Sequence, residues 1–244
     1  MQIGLFGYGK MGKAIEKIAT AQQIGIAWHI TRENRDSVTP ELLRQADVII
    51  EFTRPEAAYN NVMACLQAGV PVVSGTTGWL EGLADAETWC SEHHGALLWS
   101  SNFSVGVNIL FALNRYLARL MNTRPEYQPS LTETHHIHKL DAPSGTALTL
   151  TQDILATLDR KSGWSLYPAP PGPTDIPVTA IREDEVPGTH LVRWNGPVDE
   201  IVLEHRAHSR EGFAAGAVLA AQWILGRKGV FRMDDVLGLK DPIE

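Results

Sequence analysis

The strongest constraint on this chain sits at its N-terminus. An apolar run, Ile3 to Phe6, leads into a turn with glycines at 7, 9 and 12, and the stretch that follows, Met11 to Ala21, has helical apolar spacing. Each glycine has a separate task in such a strand–turn–helix: Gly7 permits the tight turn, Gly9 lets the backbone approach a bulky anion, and Gly12 lets the helix pack closely on the strand. The N–H groups at the start of the helix face that anion with partial positive charge. In this context G-x-G-x-x-G is the pattern of a dinucleotide pyrophosphate cradle; the alternative is a glycine-rich turn with no ligand.

The next hundred residues repeat the strand–helix alternation. Ile24 to Ile30, Val48 to Phe52, Val70 to Val73 and Ala96 to Trp99 read as strands, and Pro55 to Ala68 and Leu80 to Glu92 as helices. The strands are apolar throughout, as in a parallel sheet covered on both faces, so residues 1–103 are expected to form a Rossmann-type doubly wound α/β domain. Beyond Ser104 the pattern changes. A helix over Val105 to Met121 precedes a polar, alternating strand at Ser130 to His135, a helix over Gly145 to Leu158 and a Pro/Gly-rich loop over Tyr167 to Pro177. Three further strands are expected at Val178 to Arg182, His190 to Trp194 and Glu200 to Ala207. Alternation of polar and apolar residues suits an open mixed sheet with one face exposed to solvent or to a partner subunit, so residues 104–209 are expected to form a smaller α+β domain. An Ala-rich helix at Gly212 to Leu225 and a short tail follow, and the segment 210–244 is expected to complete the first domain.

Composition narrows the function. With 44% apolar and 20% charged residues the chain can bury a core. A net charge of −7 with no run of Lys or Arg disfavours nucleic acid as a partner. The sequence has neither a signal-peptide pattern nor an apolar stretch of about 20 residues, so no membrane partner and a cytoplasmic location are expected. Cys65 and Cys90 lie in no metal-binding or redox spacing and are expected to be reduced thiols without chemistry.

At the end of the second strand, where an acidic residue would hold the ribose diol of NAD, the chain has Thr31 and Arg32. With no carboxylate there to repel a phosphate, and with Arg32, Arg35 and Lys10 able to pair with one, NADPH is expected to be preferred over NADH. The competing readings are solvated surface arginines and a Glu33 that turns to the diol. Two more segments lie at strand ends, where nucleotides bind in open α/β sheets: Gly75, Thr76 and Thr77, and Ser100, Ser101, Asn102 and Phe103.

The densest polar cluster is E-T-H-H-I-H-K-L-D-A-P-S-G-T-A, from Glu133 to Ala147. It has three readings. Protonated histidine and Lys139, with the N–H groups of Gly145 and Thr146 at a helix start, would receive a carboxylate. His135, His136 and His138 would ligate a metal, although His135 and His136 point to opposite faces of a strand, so no metal is expected. A solvated strand end is the third.

That cluster resembles the signature E-x-H-H-x-x-K-x-D-A-P-S-G-T of the 4-hydroxy-tetrahydrodipicolinate reductases, formerly called dihydrodipicolinate reductases. Supporting matches occur in order along the whole chain: G-Y-G-K-M-G at 7–12, E-F-T-R-P-E at 51–56, G-T-T-G at 75–78, S-N-F-S-V-G-V-N at 101–108 and H-R-A-H-S-R-E-G-F-A-x-G-A at 205–217. Thr31 departs from the family's acidic residue, and Glu51 stands where the family often has Asp. The resemblance implies NAD(P)H-dependent reduction of a small cyclic dicarboxylate in lysine and diaminopimelate synthesis by a homo-oligomer, commonly a tetramer. It also implies roles. His135 would be the general acid, Lys139 a second proton donor or electrostatic stabiliser, and Glu133 a support for His135. His136, Gly145 and Thr146 would bind substrate carboxylate. Gly7, Tyr8, Gly9, Lys10, Met11, Gly12, Thr31, Arg32 and the segments at 75–77 and 100–103 would hold the cofactor. Rival readings are another two-domain Rossmann enzyme, of the aspartate or amino-acid dehydrogenase type, and a non-catalytic NADPH sensor; the intact His/Lys cluster speaks against both.

Overall fold

The computed structural model describes residues 1–209 and 211–239, which divide into two compact units: Met1–Val105 with Glu211–Gly238, and the segment 106–209 with Leu239. In chain order the first unit begins β1 (Gln2–Phe6), α1 (Lys10–Ala21), β2 (Gly25–Ile30), α2 (Pro40–Leu43), β3 (Val48–Glu51), α3 (Pro55–Gln67), β4 (Val72–Ser74), α4 (Leu83–His93) and β5 (Ala96–Trp99). The second unit holds α5 (Val105–Asn122), β6 (Gln128–His135), α6 (Gly145–Leu155), β7 (Gly163–Leu166), β8 (Asp175–Arg182), β9 (Thr189–Asn195) and β10 (Glu200–Arg206). The chain then adds α7 (Glu211–Ile224), β11 (Gly229–Phe231) and α8 (Met233–Leu237) to the first unit.

The first sheet is wholly parallel, in the order β11-β5-β4-β3-β1-β2. Its strand order reverses at β1, and ligands in open α/β sheets bind at such a point, beyond the carboxyl ends of the strands. The apolar strands cover two cores. Ile3, Leu5, Val48 and Ile50 face α1 and α7, while Ile49, Val72 and Leu97 face α3 and α4. At roughly 25 cal/mol per Å² of apolar area, burial on both faces is what makes short strands such as Val72–Ser74 stable. Helix α7 lies so close to the chain beneath it that a Cβ at Gly216 would come 1.7 Å from the Phe103 carbonyl oxygen, so this position requires glycine.

The second unit is a five-stranded mixed sheet in the order β10-β9-β6-β8-β7, with β6 parallel to β8 and antiparallel to β9. The burial of β6 alternates residue by residue, with Leu131, Glu133 and His135 on the covered side. A core of Val107, Leu110, Leu150, Ile154, Val178 and Trp194 packs α5 and α6 on that face.

Several elements differ from the expectations. The helix expected at Leu80 to Glu92 opens with a 3₁₀ turn at Leu80–Gly82, and the strand expected from Val70 begins at Val72. The Pro/Gly-rich loop is shorter than expected, because β8 already starts at Asp175. The strands β7 and β11 and the helices α2 and α8 were not anticipated; each is five residues or shorter, too short for periodicity to mark. Among the described residues no helix is long and apolar enough to cross a membrane. Cys65 and Cys90 are free and buried, and burial pushes the Cys90 thiol up to about 11.

Candidate functional site

In the first unit the three glycines carry out three different tasks. Gly7 has φ +92°, and a Cβ there would lie 2.0 Å from the Phe52 carbonyl oxygen, so this turn and its approach to β3 exclude any side chain. A Cβ at Gly12 would lie 2.3 Å from the Gly7 carbonyl oxygen. Gly9, the N-cap of α1, is the opposite case: a Cβ there would meet no atom within 4 Å, and its φ of −82° suits any residue. The protein itself therefore makes no demand for glycine at position 9. The open space in front of its backbone is the cradle that a dinucleotide pyrophosphate requires, so these residues fit that group.

Two hollows share Gly9 and Thr53. One, of about 360 Å³, is lined by Gly9, Lys10, Met11, Gly12 and the Gly75–Thr77 turn. The other, of about 660 Å³, takes in Tyr8, Thr31, Arg32, Arg35 and Arg54. Thr31 is tied into the turn after β2 by Asn34, whose Oδ1 accepts from the Thr31 backbone N–H at 2.6 Å. The exposed guanidinium groups of Arg32, Arg35 and Arg54 make no ion pair among the described residues, while Glu33 and Glu56 line the same hollow. Tyr8 stacks on His29 with centroids 4.1 Å apart and donates a short hydrogen bond to Glu16, which pushes its phenol pKa up.

Glu51, at the end of β3, is fully buried. Its carboxylate accepts from the Thr53 backbone N–H at 3.0 Å, Ser74 Oγ at 2.8 Å, Thr76 Oγ1 at 2.9 Å and, in a short contact, Thr53 Oγ1. A buried carboxylate is tolerated when its lone pairs are filled, and here filling them ties together the two turns that line the smaller hollow. Thr76 is accordingly committed to Glu51, and Thr77 is the exposed hydroxyl of its turn. The Ser100–Phe103 segment also turns inward. Ser100 Oγ donates to the Asn102 carbonyl at 2.7 Å, Asn102 Oδ1 accepts from the Ser104 N–H at 2.9 Å, Phe103 belongs to the core, and Ser101 is the exposed member.

In the second unit β6 brings Glu133 and His135 to the same buried side, with His135 Nδ1 3.5 Å from Glu133 Oε2. Glu133 is fully buried and well satisfied. Both its oxygens accept from the Ser144 N–H at 3.1 Å, and Arg182 of β8 reaches Oε1 at 3.1 Å. Burial lowers the His135 pKa; Glu133 opposes this shift, and the charges of Lys139 and Arg182 add to it. His135 Nε2 points at Gly188, where a Cβ would lie 3.0 Å away. Lys139 pairs with Asp141 at 2.8 Å, and the exposed His138 faces Glu185 at 3.5 Å. Ser144 caps α6 by accepting the Ala147 N–H at 3.2 Å, which leaves the start of the helix, at the exposed Gly145 and the half-buried Thr146, facing outward.

Sequence reasoning missed Arg182 and His190. His190 Nε2 lies 3.2 Å from Ser144 Oγ and 3.8 Å from Glu133 Oε2. The motif signal stops at Ala147, and nothing local to positions 182 or 190 points to Glu133. Glu133, His135 and His190 present ligand atoms within 4.8 Å of one another, but Arg182 already neutralises the carboxylate they would share.

The histidines give this unit an acid sensitivity. Burial, followed by the charges of His135, His205 and Lys139, pushes His190 down to about 3, and burial also lowers His135 and His205. The unfolded chain then binds protons that the folded one refuses. Stability is fully present above the ordinary histidine pKa near 6.5 and is lost as pH falls from there toward 3, with a slope of about 1.4 kcal/mol per pH unit for His190. Urea unfolding at pH 7, 6, 5 and 4 measures this, and a midpoint that stays constant over that range would contradict it.

Two family models match the chain: "Dihydrodipicolinate reductase, N-terminus" over residues 1–103 and "Dihydrodipicolinate reductase, C-terminus" over residues 106–237. A 4-hydroxy-tetrahydrodipicolinate reductase of Christiangramia forsetii is 44% identical over 239 residues, covering 97% of this chain and 98% of that one. One from Neisseria meningitidis is 36% identical over 206 residues, covering 82% and 76%. The fold matches the dipicolinate-bound dihydrodipicolinate reductase of Paenisporosarcina sp. TG-14, with a TM-score of 0.79 at 20% identity over 95% of this chain and 97% of that one.

Proposed function

Since this chain belongs to the dihydrodipicolinate reductase family, we propose a division of labour in which its first unit holds the reductant and its second holds and protonates the substrate. The protein is an NAD(P)H-dependent oxidoreductase of lysine and diaminopimelate synthesis that reduces 4-hydroxy-tetrahydrodipicolinate to tetrahydrodipicolinate. The observation that carries the division is the buried Glu133–His135 pair on the strand leading into the open start of α6.

NAD(P)H, when bound, supplies the hydride. Gly7, Gly9 and Gly12, with the N–H groups at the start of α1, hold its pyrophosphate, and the Gly75–Thr77 turn and the backbone around Ser101 border it. One substrate carboxylate is received by His136, Gly145 and Thr146, where helix N–H groups favour an anion. His135 donates the proton that quenches the charge left by hydride addition and becomes a neutral imidazole, while Glu133 orients the ring and favours the imidazolium before the proton leaves. Lys139 contributes positive charge or a second proton once the substrate dianion competes with Asp141 for its amine. The substrate class is a small cyclic dicarboxylate, and the assembly is a homo-oligomer, in keeping with the tetramer expected from the family resemblance. An NADPH-oxidation assay with freshly generated dihydrodipicolinate tests the reading; no turnover would refute it.

NADPH is the preferred cofactor because Arg32 and Arg35 are without ion pairs among the described residues and Thr31 replaces the acid that would repel a 2′-phosphate. Replacing both arginines with alanine should lower kcat/KM for NADPH by about 10- to 100-fold, the worth of one or two charge-assisted hydrogen bonds, and leave NADH nearly unchanged. Equal losses with both cofactors, or a native preference for NADH, would overturn this.

A further inference from the structure

Strand β9 brings one titratable group to the Glu133 site that the proton chemistry above does not use. His190 is directly opposite Glu133 in the β6/β9 ladder and opposite His205 in the β9/β10 ladder. It is 4% exposed, and its ring meets that of His135 edge-on, with centroids 5.0 Å apart at 70°. Its Nδ1 is buried without a hydrogen-bond partner.

These contacts select a tautomer. With the proton on Nδ1, the Ser144 hydroxyl would donate to Nε2, but the buried Nδ1–H would have no acceptor and the Nε2 lone pair would face the Glu133 carboxylate, 3.8 Å away. With the proton on Nε2, the N–H donates to Ser144 Oγ and directs its positive end toward Glu133. The second arrangement wins on electrostatics, because it turns an N–H and not a lone pair toward the Glu133 carboxylate. Burial and the neighbouring His135, His205 and Lys139 keep the ring from gaining a second proton.

Ser144 is the pivot. Its N–H donates to both Glu133 oxygens, and its Oγ also accepts the Ala147 N–H as the cap of α6. His190 therefore touches both the residue that starts the anion-binding helix and the carboxylate behind the proposed proton donor. We propose that His190, as its Nε2–H tautomer, is a positioning residue that locks the Ser144 cap against Glu133 and so keeps the proton donor at His135 in register with the carboxylate-binding turn at Gly145 and Thr146. This inference rests on the proposed roles of His135 and the α6 turn.

The test compares His190→Gln, whose amide can place an N–H where Nε2 stands, with His190→Leu, which cannot. The leucine variant should lose about tenfold in kcat and bind dipicolinate about tenfold more weakly, the worth of one hydrogen bond, with the Kd for NADPH unchanged; the glutamine variant should recover most of both losses. Equal behaviour of the two variants would overturn the proposal. Nitrogen-15 NMR of the histidine-labelled native enzyme provides a measurement that needs no variant to fold: an Nε2–H tautomer between pH 5 and 8 supports the proposal, and an Nδ1–H tautomer or a charged ring in that range overturns it. Absence of turnover in the native enzyme would refute the functional reading instead, while the tautomer would still decide the case of His190.

Discussion

Replacing His135 with glutamine should lower kcat by about 10²- to 10⁴-fold, the range for loss of a positioned general acid, while the Kd for NADPH stays within about twofold of the native value. The expectation rests on local geometry. His135 is buried, its Nδ1 side is backed by Glu133 at 3.5 Å, and its Nε2 opens toward Gly188, where the absence of a side chain leaves the donor nitrogen unobstructed. Glutamine keeps much of the volume and a polar end but cannot deliver a proton near neutral pH. The pH profile adds a second readout. A group that must be protonated, with its pKa lowered chiefly by burial, makes kcat/KM fall as pH rises through a midpoint below 6.5. A bound dicarboxylate brings negative charge to the imidazole, so the midpoint in kcat should lie higher than that in kcat/KM. Native-like turnover in the glutamine variant, or coincident midpoints, would remove His135 from the proton step.

The second large effect is expected at Gly9. Changing it to valine should leave the melting temperature within a few degrees of the native value yet weaken dinucleotide binding by at least about 100-fold. A Cβ there would meet no protein atom within 4 Å and the backbone already has a negative φ, so the fold itself does not require glycine at this position. The branched side chain would instead occupy the space in which the pyrophosphate must approach the first N–H groups of α1. Gly12→Ala is the contrasting control. Its Cβ would collide with the Gly7 carbonyl at 2.3 Å, so stability should fall together with binding. Calorimetric unfolding and NADPH titration of both variants separate the two cases. Unaltered NADPH affinity in the valine variant would show that the cofactor is not cradled at this turn.

The parts of the site that were legible in the sequence are those whose geometry is set within a few residues. The strand–glycine–helix start and the placement of Glu133 and His135 on one strand face follow from turn sterics and a two-residue period. The Gly75–Thr77 turn was also found, but the role of Thr76 was not. Its hydroxyl serves Glu51 from a different strand, and nothing near position 76 announces a buried carboxylate 25 residues earlier. The same holds for Ser100 and Asn102, whose side chains hold their own turn.

The amino-acid sequence alone determined the order of the longer strands and helices, the change of character after Ser104 and the chemistry gathered between Glu133 and Ala147, because backbone periodicity, turn sterics and residue type act over short spans. Only the tertiary structure decided what surrounds that chemistry. Parallel pairing of β6 with β8 brings Arg182 to Glu133, and antiparallel pairing with β9 sets His190 opposite it. Such partners lie about 50 residues or more away along the chain, and their meeting depends on which strands find each other when the cores close, a choice made by the burial of whole faces and not by any single stretch of residues.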